Sequence, residues 1–286
     1  MRRSGRMVRN IILIALMITA PAAAQVTVRE DSLFSPALGR YERYTVLFPD
    51  GYHHGEERYG VLYLLHGFNG DHTSWHRSTR LVEYAASVPL LIICPDAGNS
   101  WYTDAVTGPS GRIETMFITE LIPAVDARYR TRPERAYRSV AGLSMGGFGA
   151  LKFGVTYPQL FGFAAGLSPS IQFPAGLEDS AIVARRSAAS NASVRAAFGA
   201  KRSPVWERND LFRLAERADA ATLPYLYIAV GSQDGIPEIP LQAGTLAGIL
   251  RIKGAAFELH ESPGAHTWGY WDSALGRMLD RFRKRP

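Results

Sequence analysis

Residues 139–151 read Ser139-Val140-Ala141-Gly142-Leu143-Ser144-Met145-Gly146-Gly147-Phe148-Gly149-Ala150-Leu151. The stretch holds the pattern G-x-S-x-G, which alone says little, because glycine and serine are common. Its flanks give it meaning. Ser139–Leu143 is a short, largely apolar run of the kind that forms a buried strand. Phe148, Leu151, Lys152 and Val155 follow at helical spacing. Strand, sharp turn with a central serine, then helix is the setting of a nucleophile elbow. Gly142 and Gly146 fit because a Cβ at either place would crowd the turn. Ser144 then projects above the ends of the strands.

Outward from this turn the chain alternates between strand-like and helix-like stretches. Tyr41–Phe48 ends at the turn signal Pro49-Asp50-Gly51. Val61–Leu65, Leu90–Cys94, Tyr225–Val230 and Ala256–His260 are apolar runs closed by Gly, Pro or polar residues. Runs of this length suit strands buried on both faces of a parallel sheet. Ile113–Tyr129, Met145–Tyr157, Leu241–Ile252 and Trp268–Arg283 carry helical patterns, with Pro123 expected to kink or restart the first. The alternation predicts an α/β fold with a mainly parallel sheet flanked by helices. Residues 168–222, rich in Ala, Ser and Arg, are expected to form a helical insertion beside it. With no internal repeat and no long linker, residues 25–286 read as one α/β domain.

A serine hydroxyl needs a base, and the base needs a carboxylate to orient it. In this fold their chain order is Ser, acid, His. Two histidines follow Ser144. His260 lies within a strand-like run beside Glu258, whereas His266 lies in the loop just past that run, where a general base belongs. Asp234, in the loop Gly231-Ser232-Gln233-Asp234-Gly235, is the expected acid, with Glu238 and Asp272 as competing carboxylates. The tetrahedral oxyanion needs two backbone donors: the N–H of Met145, directly after the nucleophile, and one from the loop after an early strand. That loop is His66-Gly67-Phe68-Asn69-Gly70; Phe68 N–H is the expected donor and Gly67 its alternative.

Several groups of residues together resemble the esterase D-like "putative esterase" family of α/β-hydrolases. They are Leu65-His66-Gly67 with Gly70 and Trp75, Cys94-Pro95-Asp96 with Asn99-Ser100-Trp101-Tyr102, and Glu120-Leu121-Ile122-Pro123. The serine turn and His266-Thr267-Trp268 with Trp271 complete the set. The family includes S-formylglutathione hydrolases, feruloyl, acetylxylan and tributyrin esterases, and mycolyltransferases. The resemblance runs from about residue 40 to about residue 283. It implies the same assignment: Ser144 nucleophile, Asp234 acid, His266 base, and Met145 and Phe68 as the oxyanion hole. It also implies that Trp101 and Trp268 line the substrate pocket, although core packing would account for either.

The 286 residues, 47% of them hydrophobic and 20% charged, can bury a large core, which excludes a disordered chain. The single cysteine, Cys94, excludes an intramolecular disulfide and a cysteine-cluster metal site, and its apolar surroundings predict a small core residue. Arg2, Arg3, Arg6 and Arg9, the apolar run Ile11–Ala20, then Pro21 and Ala22-Ala23-Ala24 form the three parts of a secretory signal peptide over residues 1–24, with a cut at Ala24/Gln25. Its removal lowers the formal charge from +6 to +2, so the basic balance does not argue for nucleic acid. A secreted or periplasmic protein without stable membrane insertion follows. His72 and His76 stand four apart without the glutamate of a zinc-protease helix, so no metal is expected. Without a dinucleotide fingerprint or Walker loop, no organic cofactor is expected either. Asn191-Ala192-Ser193 is a glycosylation sequon by pattern. The expected activity is hydrolysis of carboxylic esters, with short-chain acyl, feruloyl or acetyl groups, on small-molecule or glycan-linked substrates. Acyl transfer to a sugar hydroxyl through the same acyl-enzyme is the alternative, and a non-catalytic binding domain on a hydrolase scaffold the second. The exported context argues against formylglutathione hydrolysis, a cytosolic task.

Overall fold

The computed structural model describes residues 26–283. The expected signal peptide at 1–24 and its cut lie outside the described residues. The strands are β1 (Thr27–Ser35), β2 (Arg40–Phe48), β3 (Gly60–Leu65), β4 (Leu90–Pro95), β5 (Arg138–Leu143), β6 (Phe163–Leu167), β7 (Tyr225–Gly231) and β8 (Phe257–Ser262). They form one sheet in the order β1-β2-β4-β3-β5-β6-β7-β8. From β4 to β8 neighbouring strands run parallel, while β1 and β2 form an antiparallel edge. Helices α1 (Ser74–Ser78) and α2 (Leu81–Ala85) follow β3, and α3 (Ile113–Met116) and α4 (Ile122–Arg128) follow β4. Helix α5 (Met145–Thr156) follows β5; α6 (Ser180–Arg185), α7 (Ala188–Phe198), α8 (Pro204–Asn209) and α9 (Leu211–Arg217) follow β6. Helix α10 (Glu238–Lys253) follows β7 and α11 (Trp268–Arg283) follows β8. This is the mainly parallel, helix-flanked sheet that the alternation predicts, in the α/β-hydrolase arrangement that the family resemblance implies.

The apolar runs are continuous because each strand feeds two layers. Val61, Tyr63 and Leu65 enter one core with Phe148, Leu151 and Phe153 of α5 and Leu246 and Leu250 of α10. The intervening Leu62 and Leu64 enter the other, with Leu81 of α2 and Leu275, Met278 and Leu279 of α11. Period-2 side-chain alternation thus needs apolar residues at both parities. Cys94 is buried in the second layer, where desolvation pushes its thiol well above the ordinary range.

Two strands escape a sequence reading. β1 is largely exposed and polar; it is a strand because it pairs with β2 from Thr27↔Phe48 to Ser35↔Arg40. β6 reads Phe-Ala-Ala-Gly-Leu, poor in strand formers, yet it pairs with β5 and β7. Its small residues admit α5, since a Cβ on Gly166 would stand 2.7 Å from Leu151 Cδ1. The last strand also runs two residues beyond the expected Ala256–His260. Pro123 falls in the first turn of α4, and a π turn at Phe117–Leu121 precedes it. The wider turn suits a residue that has no N–H and whose ring crowds the preceding carbonyls.

Helices α6 to α9 occupy the expected insertion. Asp179 Oδ1 caps α6 by accepting from Ala181 N–H at 2.8 Å, and Ser187 Oγ caps α7 by accepting from Ser190 N–H at 3.1 Å. Val194, Ala197, Phe198, Trp206, Leu211 and Ala215 join the same core as α5. Asn191 is buried in α7, its amide donating to Val183 O at 2.8 Å. The sequon pattern is therefore corrected: its asparagine is a helix-packing residue, not a surface acceptor. Among the described residues no helix is long and apolar enough to cross a membrane.

Candidate active site

Ser144 sits between β5 and α5 with φ 50° and ψ −114°. A non-glycine residue rarely takes this conformation, and it persists only where its surroundings hold it. Here Ser144 N–H donates to Leu167 O at 2.9 Å, while Ser144 O accepts from Phe148 N–H at 3.0 Å and Ser170 N–H at 3.1 Å. The turn packs on β3 so closely that a Cβ on Gly146 would lie 2.5 Å from the carbonyl oxygens of Leu65 and His66. A Cβ on Gly142 would strike Gly146 itself.

The loops after β7 and β8 bring the other two residues to the serine. His266 Nε2 stands 3.0 Å from Ser144 Oγ, and His266 Nδ1 is 2.9 Å from Asp234 Oδ2. The Asp234 side chain is wholly buried, and its Oδ1 accepts from Ile236 N–H at 2.9 Å. An acceptor-only carboxylate makes Nδ1 the donor, which leaves Nε2 free to take the serine proton. The two loops are joined to each other: Gln233 N–H donates to Gly264 O at 2.9 Å, and Gly264 N–H to Gln233 Oε1 at 2.6 Å. The competing groups are engaged elsewhere. Glu238 pairs with Arg185, Asp272 accepts from Arg80 and Tyr84, and His260 Nε2 is 2.6 Å from Glu258 Oε2.

Met145 opens α5, so its N–H is one of those without an intrahelical acceptor. Phe68 lies in the loop after β3, which is tied down on several sides. Trp75 Nε1 donates to Leu65 O at 3.0 Å and Tyr102 Oη to His66 O at 3.0 Å. Gly70 N–H donates to Gly67 O at 3.0 Å. Asn69, at φ 61°, donates its N–H to Asn99 Oδ1 at 2.7 Å and accepts from Asn99 Nδ2 at 3.0 Å. His66 is buried with Nδ1 2.8 Å from Gly67 O and Nε2 3.2 Å from Ala97 N. A carbonyl can only accept and an amide N–H only donate, so the ring is the neutral Nδ1–H tautomer. Desolvation holds its pKa below the ordinary histidine value, consistent with that state.

Ser144 and His266 face a cavity of about 650 Å³. Trp101 and Trp268 both line it, in different ways. Trp101 is almost fully buried, with Nε1 3.1 Å from Ser193 Oγ and its ring against Phe148, Phe173 and Phe198. Trp268 is half-buried, edge-on to Trp75 and Trp271, and Trp271 stands edge-on to His266 with ring centroids 4.9 Å apart. Two lining residues carry no local sequence signal. Ser170 places its Oγ 3.3 Å from Ser144 Oγ, and Arg186 reaches in from the insertion. Of the histidine pair set aside earlier, His72 Nδ1 is 3.0 Å from Thr45 Oγ1. Among the described residues no cluster of three or more His, Cys, Asp or Glu is arranged to hold a metal.

The arrangement places a hydroxyl, a base in the right tautomer and a buried carboxylate in one chain of hydrogen bonds at the mouth of a cavity. The family model described as "Putative esterase" matches residues 35–282. An esterase of Mycobacterium tuberculosis is 31% identical over 249 residues, which cover 81% of this chain and 54% of that protein. The chain therefore matches about half the length of that relative. An acetyl esterase of Caldicellulosiruptor saccharolyticus is 26% identical over 80% of this chain and 85% of its own. Among solved structures, the fluorophosphonate-binding serine hydrolase F of Staphylococcus aureus is 25% identical with a TM-score of 0.78, covering 91% of this chain and 99% of that one.

Proposed function

The chain belongs to the "Putative esterase" family, and we propose that it is a serine esterase, exported by the signal peptide expected over residues 1–24. The observation that carries the reading is the unbroken chain from Ser144 Oγ through His266 to the buried Asp234, opening on the cavity. In this reading Ser144 Oγ attacks the ester carbonyl carbon while its proton passes to His266 Nε2. The oxyanion is held by the N–H groups of Met145 and Phe68. Each such donor is worth ~3–4 kcal/mol in the transition state when it is held in place beforehand. The carbon–oxygen bond to the alcohol breaks, and the departing oxygen takes the proton from His266. Water then gives a proton to His266 and attacks the acyl-enzyme; the free acid leaves and the proton returns to Ser144. Asp234 holds the tautomer and balances the imidazolium.

A cavity of about 650 Å³ suits a small ester. Short acyl, acetyl or feruloyl groups are the substrates we propose, with the acetyl esterase relative supporting the first two. The test is turnover of p-nitrophenyl acetate, butyrate, octanoate and palmitate, with methyl ferulate alongside, by the native protein and by Ser144→Ala. Serine-dependent turnover greatest on the short chains or on ferulate is expected, and Ser144→Ala should lose at least about 10⁴-fold. Retention of most activity in that variant removes Ser144 from the mechanism.

A further inference from the structure

The cavity over Ser144 adjoins a second one of about 230 Å³, and Arg186, Ser190 and Ile236 line both. No Asp or Glu lines the larger cavity, where Arg186 is the one permanently charged side chain. The smaller cavity adds Arg185 and Glu238, which pair with each other. Arg186 is thus the unmatched charge, with no carboxylate within ion-pair distance among the described residues. It donates to Ser190 Oγ, and its guanidinium lies 4.3 Å from the Phe173 ring centroid and 5.5 Å from that of Trp101. Its Nε–H is buried without an acceptor. Burial pulls its pKa down to about 10, so it is still charged at neutral pH.

Gln172 is an independent observation. It lines the smaller cavity, only 3% of it is exposed, and neither Oε1 nor Nε2 has a hydrogen-bond partner in the protein. Buried polar groups left unpaired destabilise a fold, so their persistence calls for a partner. The Gln172 amide brings a spare donor and a spare acceptor, so it is the uncompensated guanidinium that leaves the site short of acceptors. A carboxylate supplies acceptors in the planar form that a guanidinium matches.

We propose that the compartment between Gln172, Arg186 and Ser190 is a subsite for a carboxylate borne by the substrate, so that acidic esters are preferred to neutral ones of similar size. The proposal rests on the esterase reading above. The carboxylate could be carried by the acyl group or by the alcohol, and two substrate pairs separate these sources. One is mono-p-nitrophenyl glutarate against p-nitrophenyl pentanoate, with the acid on the acyl side. The other is 4-acetoxybenzoate against p-tolyl acetate, with the acid on the alcohol side.

The quantity to read is the acidic-to-neutral ratio of kcat/KM. In the native protein at least one ratio should exceed one and should fall as salt is raised. Arg186→Met, which keeps the apolar stem, should lower that ratio about 10- to 100-fold. Gln172→Met replaces an unpaired amide with an apolar group, so folding is not at risk; it should lower the ratio about 2- to 10-fold. Both native ratios at or below one, or a ratio that Arg186→Met does not move, overturns the subsite. Calorimetry of glutarate and of 4-hydroxybenzoate on Ser144→Ala gives a readout independent of turnover. Affinity for one of them should weaken at least tenfold when Arg186→Met is added. If no ester is turned over, the esterase reading fails and calorimetry alone decides: binding that depends on Arg186 upholds the subsite, and binding that is absent or indifferent to Arg186 overturns it.

Discussion

Asn99 is where the proposed oxyanion hole can be weakened without touching it. Its side chain accepts from Asn69 N–H at 2.7 Å and donates to Asn69 Oδ1 at 3.0 Å, clamping the residue next to Phe68. Asn99→Ala removes both bonds. Each is partly open to solvent and contributes about 0.5–1.5 kcal/mol, so the clamp holds the loop by about 1–3 kcal/mol. Against it stands the left-handed backbone of Asn69 at φ 61°, which costs about 1 kcal/mol and is relieved if the loop relaxes. With the clamp gone, the strain alone tips the loop by about 1 kcal/mol toward the relaxed form, which reduces the population with Phe68 N–H correctly aimed by about fivefold. The ceiling, complete loss of one oxyanion donor, is about 10²–10³-fold. The loss should appear in kcat with KM within about twofold, because the hole acts on the transition state more than on the bound ester. Steady-state kinetics on p-nitrophenyl butyrate measures this. Asn69→Ala made in the Asn99→Ala background should add little, since the two residues share one interaction. A kcat within twofold of native, or a change in KM alone, would refute the reasoning.

Three further outcomes are expected. Asp234→Asn puts a donor-bearing amide where a wholly buried carboxylate accepts from His266 and Ile236; by analogy with the serine-protease triad, kcat should fall about 10⁴-fold, and a loss under tenfold would exclude the orienting role. His66 is buried neutral with its pKa depressed, whereas the unfolded chain titrates near the ordinary value of about 6.5, so below that pH the unfolded state binds the extra proton. The contribution is complete above pH ~6.5 and declines as pH falls toward the folded value, by at most about 1.4 kcal/mol per pH unit; urea midpoints for native and His66→Gln between pH 5 and 8 should diverge on the acid side, and parallel curves would contradict this. Lys152 is buried with Nζ 2.8 Å from Tyr102 O, 2.7 Å from Glu114 Oε2 and 2.9 Å from Asn209 Oδ1, so Lys152→Met strands a carboxylate and should cost about 3–5 kcal/mol, read in a calorimetric scan as roughly a 10 °C lower Tm. A Tm within about 3 °C of native would show that the pair is replaceable.

The parts of the fold that were legible share a physical cause. A buried parallel strand must be apolar at every position and must stop where the chain leaves the sheet, so Val61–Leu65 and Tyr225–Val230 announce themselves locally. The elbow is legible for the same reason: Gly142 and Gly146 are required by contacts within a few residues and with β3 directly beneath. Where those conditions lapse, the reading lapses too. β1 is largely exposed and pairs in the sheet with β2 alone, and β6 is made of residues small enough to admit α5 rather than residues that favour strands. Asn191 matches a surface motif yet lies inside the helix packing, because three consecutive residues do not encode burial.

From sequence alone follow the fold class and the strand ends after which Ser144, Asp234, His266 and Phe68 sit, each marked by glycine or proline. The choice of Asp234 over Glu238 and Asp272 becomes a matter of geometry only once the loops after β7 and β8 meet. Ser170 beside Ser144, the Asn69–Asn99 clamp, and Arg186 without a counter-ion near an unpaired Gln172 were decided by tertiary structure alone. They join segments whose spacing has no period and whose chemistry exists only in the distances between them, whereas strand and turn signals arise from neighbours along the chain.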